Sequence, residues 1–426
     1  MKNYKKLAND LKVFLDQSPT AFQATDVIVD RLLNNGFTQL SESEKWDLKP
    51  NGKYFVVRNS SAVIAFINGS SVPAETGFKI TGAHTDSPAL KVKVGSEAKY
   101  KGYHRVFVEV YGGPIVNTWL DRELSLAGRV TFLTNGKVQS TNLFIDRPVG
   151  IIPNLAIHLN RNVNKGLEIN KQNELPVLLG TSDKDSFLED LIAKECGVNV
   201  EDVLDYDLFF IPYEKTMIYG IDEELISSGR LDDLAMCHAI LTALIATEKN
   251  KSTVVATFYD NEEIGSQTLQ GANSSFLEMI LSRINHCLGG NAEDYACAIN
   301  RSFQISADQA HAVHPNFASK HDSNYAPELN KGPVVKFSAN YRYATNSETS
   351  AYFMSICKTL NIPYQKMINR SDIPSGSTIG PVSSATSSIR TVDIGNPMLA
   401  MHSTKETMGT LDQYYVTEVF KEFNKR

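Results

Sequence analysis

The stretch Ser252–Ser266, STVVATFYDNEEIGS, constrains this chain more than any other. Val254-Val255-Ala256-Thr257-Phe258-Tyr259 is apolar, β-branched and aromatic, and predicts a buried strand. It runs directly into Asp260, Asn261, Glu262 and Glu263, and Gly265 ends the segment. Carboxylates at the carboxyl end of a hydrophobic strand stand where open α/β sheets place their chemistry. Side by side they repel, so keeping them ionised costs free energy unless a cation offsets it. The bland alternative is a charged loop that caps the next helix. The rest of the chain must decide between the two.

With 426 residues and 42% hydrophobic content, the chain can bury the cores of two or three domains. Its 42 basic residues against 48 acidic ones give a net charge of −6, and no basic stripe is visible. That argues against nucleic acid as the main partner. The first residues, MKNYKKLANDLKVFLDQSPT, contain no long apolar core, and no later run reaches spanning length. Neither a signal peptide nor a membrane span is expected. Cys196, Cys237, Cys287, Cys297 and Cys357 are scattered and form no CxxC pair. They are expected to be reduced, mostly buried thiols of a cytoplasmic protein.

In chain order, apolar spacing predicts helix over 4–35, broken at Ser18-Pro19-Thr20 and ended by Asn34-Asn35-Gly36. Tyr54 to Ile67 alternates and predicts strands. Phe78–Ala83 predicts a strand leading into His84-Thr85-Asp86. On an extended chain positions 84 and 86 share a face, so Asp86 can accept the second N–H of the His84 imidazole. From about 92 to 217 the texture changes to short strands (Arg105–Tyr111, Gly128–Leu133, Asn142–Ile145) between Gly, Pro and Asn turns. This predicts a β-rich insert, residues 92–217, with a helix near Lys184–Cys196, between two parts of one α/β domain, 1–91 and 218–426.

The α/β pattern resumes near 218. Asp232 and Asp233 stand at the start of a helix expected to reach Glu248, where capping is the simplest role. A helix is expected over Ser274–Asn285, and strands over Ala298–Ser306 and Pro333–Ser338, with Asp308 just past the first and Lys336 inside the second. Another helix is expected over Ser347–Leu360. The glycine-rich loop 372–381 can admit backbone close to a ligand, which makes Gly376 and Ser377 candidate substrate contacts. It lacks the spacing of a phosphate loop. Ser388–Ile394 predicts a last strand, followed by Met401-His402-Ser403 and a C-terminal helix, Leu411–Phe423.

The polar residues that end these strands or start these helices are His84, Asp86, Asp232, Glu262, Glu263, Asp308 and His402. Imidazole mixed with carboxylate suits zinc, cobalt or manganese, whereas calcium and magnesium prefer oxygen alone. The set is large enough for two cations bridged by one carboxylate, with one glutamate left as a base.

GAHTDSPALKVK, SGRLDDLA, FYDNEEIGS, SADQAHAVHPN, KFSANYRYAT, SGSTIGP and AMHSTKE, in this order, resemble the M18 metallo-aminopeptidases, the aspartyl aminopeptidase family. The likeness runs nearly end to end, with FLDQSPTAF near the start and NLAIHL in the insert. The resemblance implies an α/β catalytic domain, a central mixed sheet flanked by helices, interrupted by a β-rich dimerisation domain. It also implies two zinc or similar ions per subunit and dimers assembling into a dodecamer. Position by position it implies that His84 and Asp308 bind one metal, Glu263 and His402 the other, and Asp232 bridges them. Asp86 would orient His84, and Glu262 would be the general base toward the attacking water. Tyr343 would hydrogen-bond the oxyanion, and His158 would reach a neighbouring subunit's site. Lys336 stands where aspartyl-specific members face an acidic side chain. The sequence departs at Asp233, often Asn in the family, and at Tyr341, frequently Gln.

The expected reaction is removal of the N-terminal residue from peptides. Preference for acidic N-termini and preference for neutral or hydrophobic ones both stay open. A non-catalytic assembly or cargo protein on this scaffold would be expected to have lost a ligand or the base, and none is missing. A two-metal deacylase or carboxypeptidase is opposed by SGSTIGP and AMHSTKE. Lys336 as a solvated strand lysine, Tyr343 as a core tyrosine and His158 as a packing residue of the insert are the structural alternatives. His311 and His314 either line the pocket or are structural.

Overall fold

The computed structural model describes residues 2–181 and 186–426. The fold is mixed α/β with a second, antiparallel β unit inserted in it. A nine-stranded sheet takes the strands in the order 38–39, 53–58, 62–67, 253–259, 78–84, 303–307, 390–395, 334–337, 365–368. Its middle four strands, 253–259, 78–84, 303–307 and 390–395, are mutually parallel. Their carboxyl ends therefore lie along one edge.

The sheet is buried on both faces. Val254, Ala256 and Phe258 enter one apolar cluster with helices Lys2–Gln17, Leu231–Ile245 and Thr410–Lys425. Val255 enters another with helices Phe276–Cys287 and Ala292–Arg301. The alternation in Tyr54–Ile67 thus sorts residues between two cores, not between core and water: every position of Ala62–Ile67 is buried. Each fully buried aliphatic or aromatic side chain contributes roughly 1.5–3 kcal/mol, so both helix layers are firmly held.

The insert's strands run from Ala89 to Pro212. Strand 203–212 pairs with both 89–100 and 123–134, so the sheet closes on itself as a barrel. The barrel has its own core, including Leu90, Val106, Trp119, Leu126, Leu208 and Phe210. Its helix is Leu188–Cys196; Lys184 and Asp185 lie outside the described residues. Met217–Tyr219 already pairs with Leu225–Ser228 in a third, five-stranded sheet, which also holds 406–409, 397–399 and 310–311. This small sheet lies beside the carboxyl edge of the large one.

Two expectations need correction. Ala298–Arg301 is helix, and the strand begins only at Phe303. Asn291 and Asp294 form a capping box that starts the helix upstream, and that local signal outweighs the apolar run. Ile379–Ser387, inside and beyond the glycine-rich loop, is also helix. Thr378 caps it by accepting from Gly380 N, and Pro381 sits in the first turn, where no intrahelical N–H is needed. The five cysteines are free, but only Cys237 and Cys357 are buried; the others are half-buried. Among the described residues, no helix is long and apolar enough to cross a membrane.

Candidate metal centre

Each candidate ligand sits at an element end. His84 closes strand 78–84, and Glu263 lies in a short 3-10 turn after strand 253–259. Asp308 follows strand 303–307, and its backbone N–H donates to Ile394 O at 3.0 Å. Any side chain at Gly395 would collide with the Asp308 carbonyl, so glycine is what allows this close approach. Asp232 lies at the entry of helix 231–245, and His402 in the turn between the small-sheet strands 397–399 and 406–409.

Asp232 stands between the two imidazoles. Its Oδ1 is 3.5 Å from His84 Nε2, and its Oδ2 is 3.5 Å from His402 Nε2. His402 Nε2 is also 3.3 Å from Glu263 Oε1. The Nδ1 atoms point away and are occupied. His402 Nδ1–H donates to the Gly113 carbonyl at 3.1 Å. His84 Nδ1 lies 3.1 Å from the Asp86 carbonyl and 3.4 Å from its carboxylate Oδ1. Asp86 does lie against His84 as expected, though the nearer acceptor is its main-chain oxygen. With Nδ1 turned to a carbonyl, Nε2 is the ring nitrogen that faces the carboxylates, as an N–H donor in the bare site and as the lone pair a cation would take in place of that proton.

Three overlapping clusters have ligand atoms within 4.8 Å of one another: His84, Asp232 and Asp308; Asp232, Glu263 and His402; and His84, Glu262 and Glu263. The first two share Asp232. Asp232 Oδ1 and Glu263 Oε1 are buried without a hydrogen-bond partner. Such orphaned carboxylate oxygens are costly unless a cation receives them. Donor types, spacing and orphaned atoms all fit divalent cations of the zinc class.

Electrostatics agree. Burial pushes Glu262 up to about 9, with the Asp308, Glu263 and Asp86 charges adding to it and His84 opposing. Burial likewise pushes Glu263 up to about 7, with the His402 imidazole beside it opposing and the Asp232 charge adding to it. Asp232 moves the other way: burial raises it, but His402 and His84 together hold it below the usual carboxylate range. A dication here would favour the charged form of every carboxylate.

Asp233 is not a helix cap. Its Oδ2 accepts from the His84 backbone N–H at 3.2 Å, and its Oδ1 accepts from no N–H of the helix. Residues that sequence reasoning missed complete the site. Glu406 receives the backbone N–H of Asp232 on Oε2 (3.1 Å) and that of His402 on Oε1 (2.6 Å), tying two candidate ligands together. Tyr111 donates to Asp86 Oδ2 at 2.8 Å and accepts from Asn261 Nδ2 at 2.9 Å. Asp393 accepts from Ser306, from Thr378 and from Ala344 N, anchoring the loops on either side of the cavity. The only signal for Glu406 was its place at the end of AMHSTKE. Tyr111 and Asp393 gave none.

A cavity of about 360 Å³ opens onto Asp232, Glu262, Glu263, Asp308 and His402, and also touches His311, Lys336, Tyr343, Met367, Gly376 and Ser377. Lys336 is 3% exposed and so is not a solvated strand lysine. Its Nζ lies 3.5 Å from Asp308 Oδ1 and 5.5 Å from the centre of the Tyr343 ring. Tyr343 is buried too. His314 instead packs on Phe317. His158 lies in an exposed turn of the insert, and the fold does not bring it to this cluster within the chain. A larger cavity of about 440 Å³ lies at the junction with the insert, behind Asp86 and Asn261, and none of the five candidate ligands lines it.

A mixed sheet whose parallel middle strands gather imidazoles and carboxylates at their carboxyl ends fits a metal-dependent hydrolase of the zinc-peptidase class. Residues 14–424 match the family described as "Aminopeptidase I zinc metalloprotease (M18)". The chain belongs to the M18 family of zinc metallo-aminopeptidases. It is 48% identical over 430 residues to a "Probable M18 family aminopeptidase 2" of Clostridium acetobutylicum, covering 99% of both chains. Its fold superposes on a chain of the Ape4 and Nbr1 complex with a TM-score of 0.96 at 37% identity, covering 99% of this chain and 85% of that one. It also superposes on the yeast mApe1 dodecamer with a TM-score of 0.86 at 28% identity, covering 99% and 97%.

Proposed function

We propose that this chain is a two-metal aminopeptidase whose His84, Asp308 and Asp232 hold one divalent ion and whose Glu263, His402 and Asp232 hold the other. The placement of Asp232 carries the reading: one carboxylate faces two imidazole Nε2 atoms with opposite oxygens. The ions are zinc by family and cobalt or manganese by donor chemistry. When bound, they polarise the scissile carbonyl and acidify the attacking water.

The chain's own residues do the rest. Glu262, held high by burial in bare protein and drawn down by neighbouring cations, takes the proton of the attacking water. Tyr343 donates its hydroxyl hydrogen to the oxyanion. Gly376 and Ser377 border the substrate where they flank the cavity. The carboxylate-rich wall attracts the α-ammonium of a free N-terminus. Lys336 receives an acidic side chain through a charge-assisted contact. His158 acts in the site of a neighbouring subunit, consistent with its exposed turn. Dimers assemble into a dodecamer, the state named for the solved yeast relative, and the compartment is the cytoplasm, in keeping with five free thiols.

A second preference, for neutral or hydrophobic N-termini, is supported by Met367, Val382 and Met401 on the cavity wall and by the pairing of Lys336 with Asp308. One experiment separates the readings. The protein is stripped with a strong chelator, reloaded with zinc, cobalt or manganese, and assayed on a panel of aminoacyl chromogenic substrates. Activity is expected to vanish on stripping, to return on reloading, and to favour Asp and Glu substrates. Full activity after verified removal of metal, or trimming of peptides from the carboxyl end, would refute the proposal. A preference for Leu substrates would replace the acidic reading with the neutral one.

A further inference from the structure

One short segment of the insert touches both halves of the metal centre. Strand 103–111 ends at Tyr111, and Gly112-Gly113-Pro114-Ile115 continues across the junction. Four contacts leave it. Tyr111 Oη donates to Asp86 Oδ2 at 2.8 Å. The Gly113 carbonyl accepts from His402 Nδ1 at 3.1 Å. Ile115 N–H donates to the His402 carbonyl at 2.9 Å. Gly112, at φ +71°, lies so close to Glu263 that a Cβ would stand 3.2 Å from the Glu263 Cβ.

Asp86 is the relay on the first side. Its two carboxylate oxygens accept from Glu262 N and Glu263 N at 3.1 Å each, besides Tyr111. The same residue borders His84 Nδ1 through its carbonyl and Oδ1. Tyr111 is itself fixed: Asn261 Nδ2 donates to its oxygen, and its ring meets Phe209 edge-on at 5.7 Å. On the second side no relay is needed, because the segment's own backbone brackets His402. Partners of this kind set a metal-binding imidazole's tautomer and orientation.

We propose that Tyr111–Ile115 is a positioning strap through which the insert holds the His84 and His402 imidazoles in register for the metals. The inference rests on the ligand assignment made above. Tyr111 acts on His84 through Asp86; Gly112 and Gly113 act on Glu263 and His402 directly. A displacement of the insert relative to the large sheet is therefore felt at both metals at once, which links assembly through the insert to metal retention.

The test is metal binding by the intact assembled protein, measured by zinc titration calorimetry and by the visible spectrum of the cobalt form. Wild type takes up two equivalents per chain, and His84→Ala loses one. Tyr111→Phe keeps the ring and its packing on Phe209 but removes the donor to Asp86. It is expected to weaken one equivalent roughly 10–100-fold and alter the cobalt spectrum, while the metal-free protein keeps its wild-type circular dichroism. Gly112→Ala is expected to weaken the other equivalent. Its control is Gly136→Ala, at the same φ of +71° in the insert but with open space around the new methyl. If Gly136→Ala behaves like Gly112→Ala, backbone strain and not the approach to Glu263 is responsible, and the Gly112 arm falls. If His84→Ala keeps both equivalents, the ligand assignment is wrong and the strap falls with it. If His84→Ala loses one while Tyr111→Phe binds both with wild-type affinity and an unchanged spectrum, the ligands stand and the strap is overturned.

Discussion

Strand Thr253–Tyr259 is buried at all seven of its positions, whereas Lys137–Phe144 of the insert exposes its first five. The difference follows from what covers each sheet. The large sheet is covered by helices on both faces, so its strand interiors are mostly apolar, with Asp393 and Lys336 as charged exceptions, and the candidate ligands appear where strands stop. The barrel has an apolar core of its own, and its outer side exposes further apolar side chains, Val138, Leu155 and Leu159 among them. One region places the proposed reacting groups; the other borders them and, in the proposed assembly, reaches a neighbour. The first region should therefore fail at single residues, and the second by the loss of contacts across a boundary.

The largest effect is expected within the sheet's edge. Glu262→Gln keeps the shape of the side chain but cannot accept a proton, and loss of a general base costs roughly 10²–10⁴ in rate. Metal content should stay at the wild-type level, because Glu262 is proposed to lie outside the ligand set. The cluster of His84, Glu262 and Glu263 makes the opposite assignment geometrically available. Metal analysis of Glu262→Gln beside Glu263→Gln decides it. A Glu262 variant that loses metal while its neighbour keeps it would exchange their roles.

The next effect probes the insert. His158→Ala is expected to cost about 10²–10³ in kcat if it removes an oxyanion donor. The comparison is sharpened by subunit mixing. His158→Ala and Glu262→Gln proteins, each nearly inactive, are dissociated and reassembled together. If His158 acts across a two-fold interface, some sites combine an intact Glu262 from one chain with an intact His158 from its partner, and activity returns. Mixed assemblies verified by mass that stay inactive would return His158 to the surface of its own insert.

What could be read from the sequence divides along the same line. The sheet and the candidate ligands at its edge were legible because each is local: an apolar run, then a carboxylate or imidazole within a few positions. His84, Glu263 and Asp308 all follow that rule. Tyr111, Glu406 and Asp393 did not, because each acts through a hydrogen bond to a residue distant in sequence, and no spacing encodes a partner 25 positions away in Tyr111 and Asp86, or 174 positions away in Glu406 and Asp232. Helix 292–301 was hidden because its end, Ala298–Arg301, runs into the apolar strand that follows, while its start signal lies at Asn291 and Asp294. Lys336 was legible as a strand position but not as a buried one. Its burial depends on Asp308 and Tyr343, brought beside it by the fold.

The smallest effect is expected at Lys336. Because Lys336 is 3% exposed, truncation to alanine would mix the loss of charge with a cavity. Lys336→Met keeps most of the volume and removes only the cation. Burial works against the Lys336 charge, but Asp308, Tyr343, Asp393 and Asp232 together outweigh it and hold the ammonium above its usual pKa, so the side chain is charged throughout the working pH range. A charged hydrogen bond to an acidic substrate side chain is worth about 1.5–3 kcal/mol. Lys336→Met should then lower kcat/KM for Asp and Glu substrates roughly ten- to a hundredfold and leave Leu and Ala substrates much less affected. If instead Lys336 serves only to balance Asp308, its removal leaves that carboxylate without a counter-charge whatever the substrate. Both substrate classes would fall by the same factor, and Lys336 would then belong with the groups that maintain the metal centre, leaving the choice of N-terminus to the rest of the cavity wall.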